Sequence, residues 1–339
     1  MRIYIGTYTS EKGSKGIYTA EFDSVKGDIT GLRLAAEGDS PSFLALNSTG
    51  TRLYAANENL AEVSSYEVLD DGPLKLLNSI PANGEAPCHL VVGPKNDVVL
   101  VACYGDGFSG FRLDRDGKLV PNDRHFKIPG TGPNKNRQEK PHGHSIQFDP
   151  HLDFIYACDL GTDHVIPLRL AGTELVKCGE VGVCPPGSGP RHLAFYPFGR
   201  FIAVLTEMTS SVCMFEQNPA DGSLRLLQTL DSILETGAVR ASAEIQFHPR
   251  GEWLLASNRG HDSVSVVAVS GEGTMRLHGV YKVGVKTPRG MSLDPTSEWL
   301  VVGGQDSNDL KVFRFDAVAG TLTETGRVEC PQPVSVHFA

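Results

Sequence analysis

The stretch PSFLALNSTGTRLYAANE, Pro41 to Glu58, holds two short apolar runs on either side of a polar turn, and it returns down the chain. Counterparts start at Pro87, Gly143, Pro190, Ser242 and Pro288, and a seventh copy is divided between PVSVHFA at the C-terminus and RIYIGTYT at the N-terminus. A period of 45 to 56 residues belongs to propeller blades or solenoid repeats. Within each copy apolar residues alternate with polar ones, or form short runs bounded by Gly, Pro, Asn and Asp, which is the pattern of strands. Each copy also carries a hairpin turn, at Asp71-Gly72, Asp116-Gly117, Ala171-Gly172, Asp221-Gly222, Gly271 to Gly273, Ala319-Gly320 and, in the divided copy, Lys26-Gly27. Glycine there supplies the positive φ of a tight turn. Four antiparallel strands per copy and seven copies predict an all-β fold, a seven-bladed β-propeller forming a single domain over residues 1–339. The blade shared by the two chain ends closes the ring, so that no sheet edge is left unpaired between first and last blades.

The 339 residues carry 31 Lys and Arg against 40 Asp and Glu, a net charge of -9, which argues against nucleic acid or an anionic membrane as a partner. No apolar stretch reaches membrane-spanning length, and MRIYIGTYTS lacks the basic and apolar regions of a secretory signal, so the expected location is the cytoplasm. Cys88, Cys103, Cys158, Cys178, Cys184, Cys213 and Cys330 form an odd set without a C-x-x-C pair. They are expected to be reduced, mostly buried thiols rather than a disulfide framework or zinc site. No motif speaks to the oligomeric state.

In a propeller the first strand of each blade lines the central channel and the second runs back beside it. The start of the first and the end of the second therefore meet at one mouth. Through the copies, the second position of the first strand reads Ser42, Cys88, His144, Arg191, Ala243, Arg289 and Val334, and the end of the second strand reads Glu58, Tyr104, Leu160, Glu207, Arg259, Gln305 and Tyr8. Neighbouring columns hold interchangeable apolar residues, as packing between blades demands, whereas these two hold polar residues that differ from blade to blade. His144, Arg191, Glu207 and Arg259 are expected to converge, with His142, His192, Glu58, Arg289 and Gln305 around them. Two long intervals precede first strands: Gly130 to His144, with Lys135, Arg137 and Lys140, and Asp231 to Ser242, with Arg240. Together with the channel arginines they predict a positive mouth on an acidic protein, suited to a small anionic ligand.

The motifs of serine hydrolases, phosphate-binding loops, zinc proteases and dinucleotide folds are missing. Trp253 and Trp299 occupy equivalent repeat positions and read as packing between blades, and Asp114 and Asp116 read as a hairpin turn rather than a calcium loop. Four segments carry a resemblance: PHGHSIQFDP from Pro141, GPRHLAFYPFGRFIAVLTEMTSSVCMFE from Gly189, EIQFHPRGEWLLASNRGHDSVSVVAV from Glu244 and TPRGMSLDPTSEWLVVGGQDSNDLKVF from Thr287. They resemble the lactonase family of seven-bladed propellers, and within it the bacterial propeller-type 6-phosphogluconolactonases. The resemblance implies hydrolysis of 6-phosphogluconolactone in the pentose phosphate pathway, and places the family's histidine on His144, its arginines on Arg191 and Arg259 and its glutamate on Glu207. Either His142 or His144 can be the acting imidazole, with His144 the expectation. A histidine titrating near neutrality suits the activation of water and protonation of a leaving oxygen. Arg191 suits the oxyanion or an anionic substrate group. Glu207 either orients His144 or serves as base, and Arg259 and Arg289 anchor the substrate's anionic tail. No metal or other cofactor is expected. The alternatives are a lactone-forming cycloisomerase of the carboxymuconate type and a non-catalytic propeller that binds a metabolite or protein.

Overall fold

The computed structural model describes residues 1–151 and 153–339, and among them every regular element is a strand. Blade 1 is built from Pro41–Leu46, Arg52–Asn57, Glu62–Val68 and Leu74–Pro81, and blade 2 from Pro87–Val92, Val98–Cys103, Gly107–Leu113 and the short Leu119–Val120. Blade 3 contains Gly143–Phe148, Ile155–Asp159, His164–Ala171 and Glu174–Lys177, and blade 4 contains Pro190–Phe195, Phe201–Thr206, Ser211–Gln217 and Leu224–Asp231. Blade 5 runs through Ala241–Phe247, Trp253–Arg259, Ser263–Val269 and Met275–Lys282, and blade 6 through Pro288–Leu293, Trp299–Gly304, Asp309–Asp316 and Thr321–Glu329. Blade 7 joins the C-terminal Pro333–Phe338 to the N-terminal Arg2–Thr7, followed by Gly16–Asp23 and Asp28–Glu37. All neighbours pair antiparallel, so the seven-bladed propeller with a shared closing blade is the fold.

Blade 3 departs from the simple pattern. Its outer edge is covered by Glu174–Lys177 and then by a separate Gly182–Val183, which pairs with the same strand at Val165 and His164. The break falls at Pro167, whose carbonyl accepts the Cys178 N–H. Its ring nitrogen has no hydrogen to return, and the ladder stops there.

The apolar core lies in the seams between blades. One cluster joins Tyr4 and Ile17 of blade 7 to Leu44 and Leu53 of blade 1, and another joins Tyr54 and Val63 of blade 1 to Leu90 and Val101 of blade 2. Aromatic residues near the start of second strands lock the seams: the Trp253 indole donates to the Ala317 carbonyl at 2.8 Å and the Trp299 indole to that of Ser24 at 2.9 Å. Each ring lies over the hairpin turn of the next blade. Gly320 and Gly27 both sit at φ 66°, and a Cβ would come within 2.5 Å of Trp253 and 2.1 Å of Trp299, so neither turn accepts another residue. The expectation that these tryptophans pack between blades is met. With the apolar surface spent on the seams, the axis is left to polar side chains.

Candidate active site

A repeated backbone irregularity delivers side chains to the mouth. In blades 1, 2, 3, 4 and 6 the register between first and second strands slips at the second residue, and Ser42, Cys88, His144, Arg191 and Arg289 are the residues left over. Blade 7 leaves over Val334, and blade 5 leaves over both Ala243 and Glu244. Such a bulge re-aims the side chain at the extra position. Five of these strands open with proline, at Pro41, Pro87, Pro190, Pro288 and Pro333, a residue that sheets confine to starts and bulges because it cannot donate to the ladder.

The mouth is organised around Glu207, at the end of the second strand of blade 4. Its Oε2 accepts from Arg191 Nε at 3.0 Å and lies 2.8 Å from Arg259 Nη2, and its Oε1 accepts from Arg137 Nη2 at 2.5 Å. His144 Nε2 lies 3.8 Å from Oε2, beyond hydrogen-bonding range. Burial opposes the charge on Glu207, but Arg259, Arg191 and Arg137 outweigh it and hold its pKa at about 2. Arg191 is fixed a second time, by donating to the Ala243 carbonyl at 2.5 Å, and Arg259 donates to Ala241 and Ser242 carbonyls at 3.1 and 3.2 Å. His144 is buried, its ring edge-on to Tyr104 and His192. Burial, then Arg191, His192 and Arg289, push its pKa well below the usual histidine value, so the imidazole is neutral at pH 7. Cys88 Sγ stands 3.9 Å from His144 Nδ1. Burial raises this thiol to about 12 while it lowers the imidazole, so the two do not form a thiolate–imidazolium pair.

Below this layer Arg191, Arg289, His192, Glu244, Ser42 and Cys88 help to enclose a cavity of about 10 Å³, room for a single water. His192 Nδ1 pairs with Glu244 Oε1 at 2.9 Å, and the rings of His89 and Phe43 lie farther along the channel. Arg289 stacks over the Tyr8 ring at 5.0 Å, and the Tyr8 hydroxyl donates to Glu58 Oε2 at 2.9 Å. Among the described residues no group of three or more His, Cys, Asp or Glu is placed to share a metal ion.

The model of the lactonase family, described as a 7-bladed beta-propeller, matches residues 2–338. The chain belongs to this family. It is 35% identical over 347 residues to a protein of Bacillus subtilis named 6-phosphogluconolactonase, covering 99% of this chain and 97% of that one. A Formosa agariphila protein of the same name is 30% identical, with 94% of each chain covered. Among solved structures, a Bacteroides fragilis protein superposes with a TM-score of 0.92 at 31% identity, covering 100% of this chain and 97% of its own. The periplasmic gluconolactonase of Pseudomonas aeruginosa superposes with a TM-score of 0.91 at 25% identity, covering 99% and 98%.

Of the nine residues singled out from the sequence, the fold gathers His144, Arg191, Glu207 and Arg259 into one contact group. Arg289 and Glu58 form an adjoining group through Tyr8. His142 lies to the side: its Nδ1 donates to the Tyr104 carbonyl at 2.7 Å, its Nε2 meets Glu139 at 3.1 Å, and its ring stacks on Tyr104. The Gln305 side chain donates to Asp306 at 3.2 Å rather than to the Glu207 group. Of the loop cations only Arg137 reaches that group. Lys135 and Lys140 are exposed, and Arg240 pins its own loop by donating to the Thr209 carbonyl. Glu244 escaped the sequence reading because it occupies the position after Ala243, which only the wider slip in blade 5 turns into the channel. Tyr8 and Tyr104 stood in the second-strand column, but with no motif to mark them. Six cysteines are buried and free as expected, and Cys178 is exposed.

Proposed function

We propose that the chain hydrolyses 6-phosphogluconolactone to 6-phosphogluconate, with His144 as the proton-transferring group. The observation that carries this reading is a pair of backbone-anchored arginines on one carboxylate, with a buried imidazole 3.8 Å from it. The names of the Bacillus and Formosa relatives support the substrate. The cavity under Arg191 holds no more than a water, so the sugar ring sits above it, against Arg191 and Arg259. Water attacks the lactone carbonyl while His144 takes its proton, and charge growing on the carbonyl oxygen falls to Arg191. The adduct breaks its bond to the ring oxygen, the imidazolium returns the proton there, and the new carboxylic acid ionises. Glu207, held ionised by its arginines, serves as the anchor that fixes their positions. Arg289, stacked on Tyr8 and lining the cavity beneath the ring, adds positive potential to the floor of the site. Free cysteines suit a reducing compartment and support a cytoplasmic location.

A lactone panel corrected for spontaneous hydrolysis tests this. The phosphorylated lactone is the better substrate, and its kcat/KM falls as salt rises, because rim contacts to phosphate are screened over about 8 Å at physiological ionic strength. Equal use of phosphorylated and neutral lactones, with parallel salt profiles, defeats the anionic-substrate reading, and inactivity towards every lactone defeats the enzyme reading. Activity survives dialysis against EDTA; loss on chelation with recovery on adding calcium would replace His144 chemistry with metal chemistry.

A further inference from the structure

The three arginines on Glu207 are not held alike. Arg191 and Arg259 come from strands, keep side-chain exposures of 4% and 14%, and are each tied to backbone carbonyls as well as to the carboxylate. Arg137 comes from the long loop ahead of blade 3 and its side chain is 42% exposed. Its partners are Glu207 Oε1 and the Tyr104 hydroxyl, which accepts from Nε and Nη2 at 3.3 and 3.2 Å; among the described residues no carbonyl holds the guanidinium, and Nη1 makes no hydrogen bond.

The backbone beneath it is nevertheless fixed. Gln138 is fully buried, its Nε2 donates to the Leu160 carbonyl at 2.9 Å and to Asp163 Oδ1 at 2.8 Å, and the N–H groups of Arg137 and Gln138 both donate to the Asn134 carbonyl. The loop therefore holds, at a stationary point on the rim, an arginine whose guanidinium is bound by side chains and half-exposed. Three guanidiniums against one carboxylate leave the cluster with two positive charges in excess, and an incoming dianion draws the cation with the fewest other ties.

We propose that Arg137 is the specificity-determining residue of the site: it exchanges Glu207 for the phosphate of the incoming lactone, while Arg191 and Arg259 stay on Glu207 beside the carbonyl. The fork of a guanidinium matches two phosphate oxygens, which a lysine at the same place does not. This rests on the phosphorylated-lactone reading above.

The test is calorimetric binding of 6-phosphogluconate and of gluconate to the wild type, Arg137→Gln and Arg137→Lys, with lactone kinetics in parallel. The wild type binds the phosphorylated acid more tightly. Arg137→Gln weakens that binding about 10- to 100-fold and leaves gluconate binding unchanged; KM for the phosphorylated lactone rises while kcat keeps its order of magnitude. Arg137→Lys recovers part of the loss. If Arg137→Gln weakens both ligands equally, or lowers kcat together with the melting temperature, Arg137 is only a prop for Glu207 and the proposal fails. It fails equally if phosphate-specific affinity survives the substitution. A wild type indifferent to the phosphate overturns the substrate reading first and this proposal with it.

Discussion

His144 and His142 are two residues apart and have opposite surroundings, which makes them a sensitive pair for substitution. His144 projects from a bulge, lies 3.8 Å from the Glu207 carboxylate, beyond hydrogen-bonding distance, and is kept neutral by burial and neighbouring arginines. His142 is committed to a backbone carbonyl, a glutamate and a stacked tyrosine. His144→Ala is expected to lower kcat by roughly 10²- to 10⁴-fold, whereas His142→Ala lowers the melting temperature and leaves kcat within an order of magnitude. Kinetics on folded variants decide it: near wild-type turnover in His144→Ala, with loss in His142→Ala, would move the catalytic role by two residues. Sequence reading favours His144 and keeps His142 as the alternative. Strand alternation is interrupted by a bulge at this point, and a bulge depends on pairing with Asp159 and Cys158 across the blade.

The element on which the ring depends is the last one. Pro333–Phe338 pairs with Arg2–Thr7 in the register Ile3 to Phe338 and Ile5 to Val336, and Val336 and Phe338 pack in the seam with Ile3, Ile5 and Trp299. Removing residues 333–339 strips one edge of the N-terminal strand, opens that seam and exposes apolar surface on two blades. We expect aggregation, or a marked fall in melting temperature. An unchanged elution volume in size-exclusion chromatography together with an unchanged melting temperature would refute the closing role. This element was readable in the sequence because both halves of the repeat survive intact at the two ends. The divided outer edge of blade 3 was not readable, since it turns on which side of its strand Pro167 presents its missing N–H.

Across the whole molecule, the polar axis makes stability depend on acid. His89, His144 and His192 are each pushed well below the usual histidine pKa of 6.5, first by burial, and His337 is lowered to about 4. The unfolded chain therefore binds protons below pH 6.5 that the native state refuses, and stability falls as pH drops from there towards 4 and beyond. Glu207 adds a second loss: its carboxyl is held near 2 against an ordinary 4.5, so the stabilisation from its arginines is present above pH 4.5 and disappears as pH falls to 2. Calorimetry should show a melting temperature that declines steadily below pH 6.5, with a shallower decline between 6.5 and 4 in His337→Gln. A flat profile from pH 7 to 5 would mean that the channel histidines accept protons without cost.

The repeat period, the glycine turns, the alternation of strands and the halves of the closing blade are all local patterns or regular recurrences, and a fold made of one unit seven times over is legible from them. The broken symmetry of two columns likewise pointed to the mouth, because packing between blades gives no reason for unlike polar residues there. Which of those residues touch is another matter. The partners of Glu207 come from a loop at Arg137, a bulge at Arg191 in its own blade and a strand end at Arg259 in the next. Gln305 stands in the same column as Glu207 and Arg259 yet turns to its neighbour Asp306. Contacts of this kind depend on the closure of the ring, on the slips in register that re-aim single side chains, and on competition for one buried carboxylate, none of which has a spacing along the chain.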